Sequence, residues 1–366
     1  MLVLGLSLCA APAAAERKDS FSTHAAPMED ARTNPGAPAS TLRWSPPALS
    51  DPITITIPTR GQEEYRLERG RDYRLQFENG LRYGPLQIYG GRNVVLVGGE
   101  HVIDDTVYDD FYDHLLFRFT GQTGTIHIEG YYGHGPGATE GFNLWIPDAI
   151  FQLQSSRVEI QRVHPDGEPE HPDIIKTWSG PREMRIWNFT GASDWQGFLF
   201  MRDARAGGVY PGRVTMDRVN MWPQPNPEWG GKGWGVSHVW MLSAQTEFRL
   251  GEIWLETGWW NGTHRKGLKG SLGYRDPGLS APLWAWREFR ASGRPYARAR
   301  VGWPASRGDS NARKQGDSIM FVRPRHDNIW NLRRTGRARI FQGRPPGGDY
   351  VPVESVGRAY GAAPRR

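Results

Sequence analysis

The densest run of side chains able to do chemistry is His164–Lys176, which holds His164, Asp166, Glu168, Glu170, His171, Asp173 and Lys176. A lysine that positive neighbours or desolvation relieve of its proton can act as a base. An arginine can neutralise a carboxylate and the enolate-like charge that develops when the adjacent C–H bond breaks. Lys176 and Arg202 offer that pair, and the 26 residues between them equal the interval from Val158 to Met184. A structural repeat of that length sets them on neighbouring turns, with His171 and Asp173 placed to orient or tune the base. His171 serves equally well as a hydrogen-bonded turn residue. The chemistry these residues suggest is β-elimination from a uronate-containing glycan.

A second chemistry competes with it. Paired carboxylates hydrolyse glycosidic bonds, and Asp173 with Asp194, or Asp104 with Asp105, could supply such a pair. Arg118 and Gln152 fall in comparable strand segments and extend a substrate-facing wall, on which Asp194 is also a candidate contact. Trp222, Trp229 and Trp234 lie among Pro, Gly and Asn, where rings can be exposed to sugar faces, and His238 follows the same Gly/Trp-rich turn. Calcium is a candidate cofactor through Asp166, Glu168 and Glu170, although three neighbouring carboxylates do not make a closed shell. No Cys/His series has the spacing of a structural zinc site, and no nucleophile elbow is present.

The elements that must position these groups are short strands. Apolar/polar/apolar triplets recur at Val94–Leu96, Ile126–Ile128, Val158–Ile160, Met184–Ile186, Val214–Met216 and Phe248–Leu250, at intervals of 32, 32, 26, 30 and 34 residues. Ile53–Ile57, Tyr65–Leu67 and Tyr73–Phe77 alternate in the same way. Leu115–Phe119, Ile150–Leu153, Asp173–Thr177, Phe198–Arg202 and Val239–Leu242 lie between the triplets. Few stretches carry a helical period, so the chain is expected to be all-β, with parallel turns stacked around an apolar interior.

The segment Ile88–Asp104, with Gly90, Gly91, Gly98 and Gly99 at its corners, resembles the early turns of the pectate-lyase-like right-handed parallel β-helix superfamily. That likeness spans roughly 53–260 and implies a right-handed single-stranded parallel β-helix with an irregular basic C-terminal region. The run Lys176–Asp203 resembles, more locally, a part of the β-helical alginate and dermatan lyases that carries a lysine base and a later arginine. The resemblance implies Lys176 as proton abstractor and Arg202 as a substrate-binding or acid-assisting residue. His171 and Asp173 stand where that family tends to have calcium-associated acidic residues, so metal use is open.

Composition frames these readings. Of 366 residues, 38% are hydrophobic and 23% charged, which suits a folded chain. Residues 1–15 read as a signal peptide, 16–51 as an extension or linker, 52–260 as the β-helix, and 261–366 as a C-terminal extension packed at least partly on it. Cleavage after Ala15 removes Cys9, the single cysteine, so the mature chain has neither disulfides nor thiolate chemistry. Leu8 directly before Cys9 disfavours a lipid anchor, and the mature chain shows no transmembrane span. The expected location is secreted or periplasmic.

Residues 281–366 carry a formal charge of +12 against −6 for the rest. That charge fits an anionic polysaccharide or another glycan. Nucleic acid ranks below it, despite Arg323, Arg325, Arg333, Arg334, Arg337 and Arg339 near Trp330 and Phe341. The expected function is an extracytoplasmic polysaccharide lyase; the alternatives are a glycoside hydrolase and a noncatalytic cell-wall polysaccharide-binding protein. Sugar identity, endo or exo action, strand register and oligomeric state are not legible in the residues.

Overall fold

Alternation of β-branched or aromatic residues with polar ones directs the chain into strands that bury one face. The computed structural model describes residues 42–104, 114–161, 172–193, 196–203, 205–225, 237–241, 246–256, 339–342 and 344–360. These form twenty strands. The first ten are β1 (Ile53–Ile57), β2 (Glu64–Leu67), β3 (Tyr73–Phe77), β4 (Leu81–Tyr83), β5 (Leu86–Gly90), β6 (Val94–Val97), β7 (Glu100–Val102), β8 (Leu115–Thr120), β9 (Thr125–Glu129) and β10 (Tyr132–His134). The others are β11 (Glu140–Trp145), β12 (Ile150–Ile160), β13 (Asp173–Ser179), β14 (Glu183–Ser193), β15 (Gln196–Phe200), β16 (Arg213–Pro223), β17 (Ser237–Met241), β18 (Glu247–Leu250), β19 (Glu252–Leu255) and β20 (Arg339–Gln342).

They assemble into two sheets. The first has thirteen strands along the path β1-β3-β6-β9-β12-β14-β16-β19-β20, with β4, β7, β10 and β18 attached beside it. The second has seven, in the order β17-β15-β13-β11-β8-β5-β2. Neighbouring strands run parallel: Ile126 faces Val94, and Phe142 faces both Phe117 and Ile175. The interleaved order arises because consecutive segments of chain are dealt to different sheets.

This corrects the fold expected from the resemblance. A pectate-lyase-like single-stranded coil stacks three separate sheets, whereas here the ladder β4-β7-β10 runs into β12 and merges with the first sheet. The cause lies in three eleven-residue strands. β12, β14 and β16 each continue through a central residue with positive φ, namely Ser155 (φ 45°), Asn188 (φ 51°) and Arg218 (φ 52°). The left-handed residue bends the strand without ending it, so both ladders share one sheet. The Asn188 amide donates to Ser155 Oγ at 3.3 Å, and Arg218 Nε donates to Asn188 Oδ1 at 3.3 Å, fixing the three bends above one another. Neither the superfamily nor the alginate and dermatan lyases therefore lend their architecture to this chain.

The core lies between the sheets. Phe77 of the first sheet stacks on Phe117 of the second at 6.3 Å, and Phe117 stacks on its register neighbour Phe142 at 5.8 Å. Phe142 meets Phe151 edge-on at 5.3 Å, returning to the first sheet. Parallel sheets are stable when both faces are covered, and the outer face of the first sheet is covered by chain from both ends. Residues 43–50 lie over β12 and β16, and residues 349–360 lie over β7, β10, β12 and β16. Gly130 (φ 65°) makes room for the second cover: a Cβ there would fall 2.0 Å from the Tyr360 ring. Among the described residues no helix is long and apolar enough to cross a membrane.

Candidate functional site

Strand alternation in the second sheet sends Phe117, Phe119, Phe142, Leu144, Ile175, Phe198 and Phe200 inward. The residues between them point away from the core, and parallel register lines up Gln87, Arg118, Asn143, Lys176 and Leu199 across five strands. Tyr89, Trp145 and Trp178 are partly exposed beside this row. The Arg118 guanidinium lies 5.9 Å from the Tyr89 ring centre, and Lys176 Nζ lies 5.2 Å from that of Trp178. Ile175 faces inward and Lys176 outward, which settles the register that the adjacent Ile174 and Ile175 leave open in the sequence.

Lys176 is not isolated. Its Nζ donates to Glu140 Oε1 at 2.5 Å and sits 3.4 Å from Asp173 Oδ2. Glu140 is buried and its Oε2 accepts from the Asn143 amide at 2.8 Å. Burial alone would lower the Lys176 pKa, but the two carboxylates outweigh it and hold the ammonium above the ordinary lysine range. For Asp173 burial dominates: it lies wholly inside, and its pKa is pushed well above the usual carboxylate range, with Glu140 adding to the rise and Lys176 only partly offsetting it. The cluster therefore sets the Lys176 ammonium between the Glu140 and Asp173 carboxyl groups. A lysine so placed keeps its proton, so the geometry gives Lys176 the part of a fixed cation rather than the base inferred from its residue type.

Arg202 follows β15. Its guanidinium lies 4.8 Å from the Tyr210 ring centre and is exposed. Lys176 pairs in register with Leu199, which leaves Arg202 three positions farther along, about 10 Å at the rise of a strand. Arg118 shares the Lys176 row, and Arg202 flanks its end. Arg118 and Gln152 do not form one wall: Gln152 belongs to β12 of the first sheet, where it meets His127 and Arg185. The strand that pairs beside Arg118 is β11, where Phe142 and Leu144 alternate inward on either side of Asn143.

Trp222, on β16 of the first sheet, lies between the Arg157 and Arg344 guanidinium groups, 5.8 and 4.9 Å from its ring centre, and so is covered by the C-terminal segment. His171, Asp194, Trp229, Trp234, Asp105 and the carboxylates Asp166, Glu168 and Glu170 lie outside the described residues, as does the side chain of His238 on β17. Asp104 pairs with Arg60 at 2.6 Å on the surface. Among the described residues no three His, Cys, Asp or Glu side chains gather to hold a metal ion. Glu140 and Asn143, which complete the cluster, were not singled out from sequence, because Glu140 lies 36 residues before Lys176 and only the register Glu140↔Asp173 unites them.

No protein-family model matches the chain, and neither the curated proteins nor the solved structures yield a match.

Proposed function

We propose that the protein engages an anionic, uronate-containing glycan along the outer face of the second sheet, in a secreted or periplasmic setting, and cleaves it by β-elimination. The observation that carries this reading is the in-register row Gln87–Arg118–Asn143–Lys176 with aromatic rings beside it. Strands repeat at about 4.8 Å, so the row sets the partly exposed Gln87, Arg118 and Lys176 along one line for an extended ligand, with buried Asn143 bracing Glu140. Guanidinium groups suit carboxylates, and aromatic rings suit the apolar faces of sugars.

In elimination, Arg118 and Lys176 would neutralise the uronate carboxylate and the enolate-like charge that forms as the C5 proton departs. Lys176 keeps its proton in this role, and Glu140 and Asp173 hold its position. Proton abstraction then falls to another group, for which the sequence offers His171. A second reading, binding without cleavage, is favoured by the same Glu140–Lys176 pair, since a lysine that keeps its proton does not serve as the base.

Oligouronates offered to the wild type and to Arg118→Ala test both. Wild-type binding in the micromolar range, weakened roughly tenfold or more in R118A, supports the site, since a charge-assisted hydrogen bond contributes about 1.5–3 kcal/mol. Unchanged binding in R118A rejects it. Product masses then divide the readings: unsaturated products establish elimination, water-added products establish hydrolysis, and intact oligomers leave recognition alone.

A further inference from the structure

The outer face of the first sheet holds a polar cluster that takes no part in the glycan reading. Two register rows form it: His127, Gln152 and Arg185 in one, and Glu129, Gln154, Trp187 and Asp217 in the other. His127, Gln152 and Gln154 are fully or almost fully buried, and the segment Arg43–Ser50 bonds to both glutamines.

The contacts are those of a receptor with a peptide. Gln154 engages both ends of one residue: its Oε1 accepts from the Trp44 backbone N–H at 3.0 Å, and its Nε2 donates to the Trp44 carbonyl at 2.7 Å. Gln152 Nε2 donates to the Ser45 carbonyl at 3.0 Å. Arg43 Nη1 donates to Asp217 Oδ2 at 2.7 Å, and the Trp44 ring lies between the Arg43 and Arg185 guanidinium groups, 5.1 and 5.9 Å from its centre. Farther along, the Ser50 N–H donates to Asp72 Oδ2 at 2.8 Å.

The receptor side is fixed by the sheet itself. Gln152 Oε1 accepts from Arg185 at 3.2 Å, and its amide nitrogen meets His127 Nδ1 at 2.7 Å. His127 Nε2 is 2.9 Å from Glu129. Arg185 makes a two-pronged pair with Glu183, both contacts at 3.0 Å. Asp217 Oδ1 accepts the N–H groups of Arg218 and Glu252, at 3.0 and 2.7 Å, which leaves Oδ2 turned to Arg43. Side chains held this way lose little freedom on binding. With Arg185 neutralised by Glu183 and Glu129 facing His127, the cluster offers the Asp217 carboxylate to an incoming ligand, which selects a cation followed by an aromatic ring.

We infer that this cluster is a polypeptide-recognition site specific for an extended arginine–tryptophan segment, filled in this chain by its own Arg43–Ser50 and able to take the same sequence in trans. It backs on a different sheet from the glycan row and does not rest on the glycan reading. The test uses the full chain carrying R43A and W44A, which vacates the site, and a labelled peptide of residues 42–50 followed by fluorescence anisotropy. Saturable binding is expected, at least tenfold tighter than to the wild-type chain, whose own segment competes. It should weaken tenfold or more when the peptide carries Arg43→Ala, or when the vacated protein also carries Gln154→Ala. The peptide variant leaves the protein untouched, so a folding defect in Q154A cannot mimic the result. Absence of saturable binding, equal binding of a scrambled peptide, or equal affinity for the wild-type and vacated chains overturns the inference.

Discussion

Lys176 shows how a neighbour decides what a residue type can do. In isolation a lysine near a uronate is a candidate base, but the Glu140 and Asp173 carboxylates fix it as an ammonium. Replacing it with methionine strands the Glu140 charge in a buried site, and such a loss costs about 3–5 kcal/mol. Urea unfolding of K176M should show that loss, whereas R118A should stay close to the wild type in stability. His101 makes a separate prediction. It is wholly buried against Phe77, Phe117 and Tyr131, its Nε2 lies 2.7 Å from the Gly84 carbonyl, and burial pulls its pKa down to about 3, Gly84 only partly opposing the fall. Between the ordinary histidine value of 6.5 and about 3, the unfolded chain binds a proton that the native chain refuses. Native stability therefore falls as the solution is acidified through that window, by up to about 1.4 kcal/mol per pH unit from this group. Burial raises the Glu100 pKa but His134 and Arg358 outweigh it and lower the net value, so Glu100 loses its contribution in acid as well, while Asp173, whose pKa burial raises, acts in the opposite sense. Both remain in His101→Gln, so a shallower acid slope in H101Q than in the wild type isolates the histidine; parallel slopes would refute the assignment.

At the scale of the strand, the left-handed residues in β12, β14 and β16 decide how many sheets there are. Ser155 sits at φ 45°, where a β-branched side chain collides with its own backbone. Ser155→Val should cost roughly 1–2 kcal/mol, through added crowding at the bend and loss of the hydroxyl, while Ser155→Gly loses the hydroxyl that Asn188 uses together with the Cβ that strains the bend. Chemical denaturation of the two variants separates strain from hydrogen bonding: equal losses would show that the bend is not strained. The same bend explains why the triplet spacing looked irregular. Ile126–Ile128 pairs in register not with Val158–Ile160 but with Phe151–Leu153, on the other side of Ser155 in the same strand. One eleven-residue strand carries two inward-facing sets, and period-two reasoning has no means of telling which one continues a given ladder.

For the molecule as a whole, stability is concentrated where the two sheets meet. Phe117 is fully buried and touches Phe77, Phe119, Tyr131 and Phe142. Phe117→Ala should destabilise by about 3–5 kcal/mol in thermal or denaturant unfolding, because neighbours on two sheets cannot both relax into the cavity. A cost under 1 kcal/mol would mean that the sheets are not coupled through this stack. The polar outer face of the first sheet depends on a different device, chain from both ends laid across it. Arg157, for example, is almost fully buried, and bonds to Asp349 at 2.8 Å and to the Val351 carbonyl at 2.9 Å.

What the residues alone determined was local: many of the strand segments, the alternation by which Tyr73–Phe77 buries Tyr73, Leu75 and Phe77, and the turns that Gly90, Gly91, Gly98 and Gly99 make with positive φ. Those properties follow from side-chain shape and alternation over a few positions, which a linear sequence displays directly. The tertiary structure decided how the strands are shared between two sheets, that Glu140 meets Lys176 across 36 residues of chain, that Gln152 belongs to a different face from Arg118, and that residues 43–50 occupy a cluster of their own. Each of these depends on register and bending between distant segments, where a single left-handed residue or one skipped pair redirects every contact that follows.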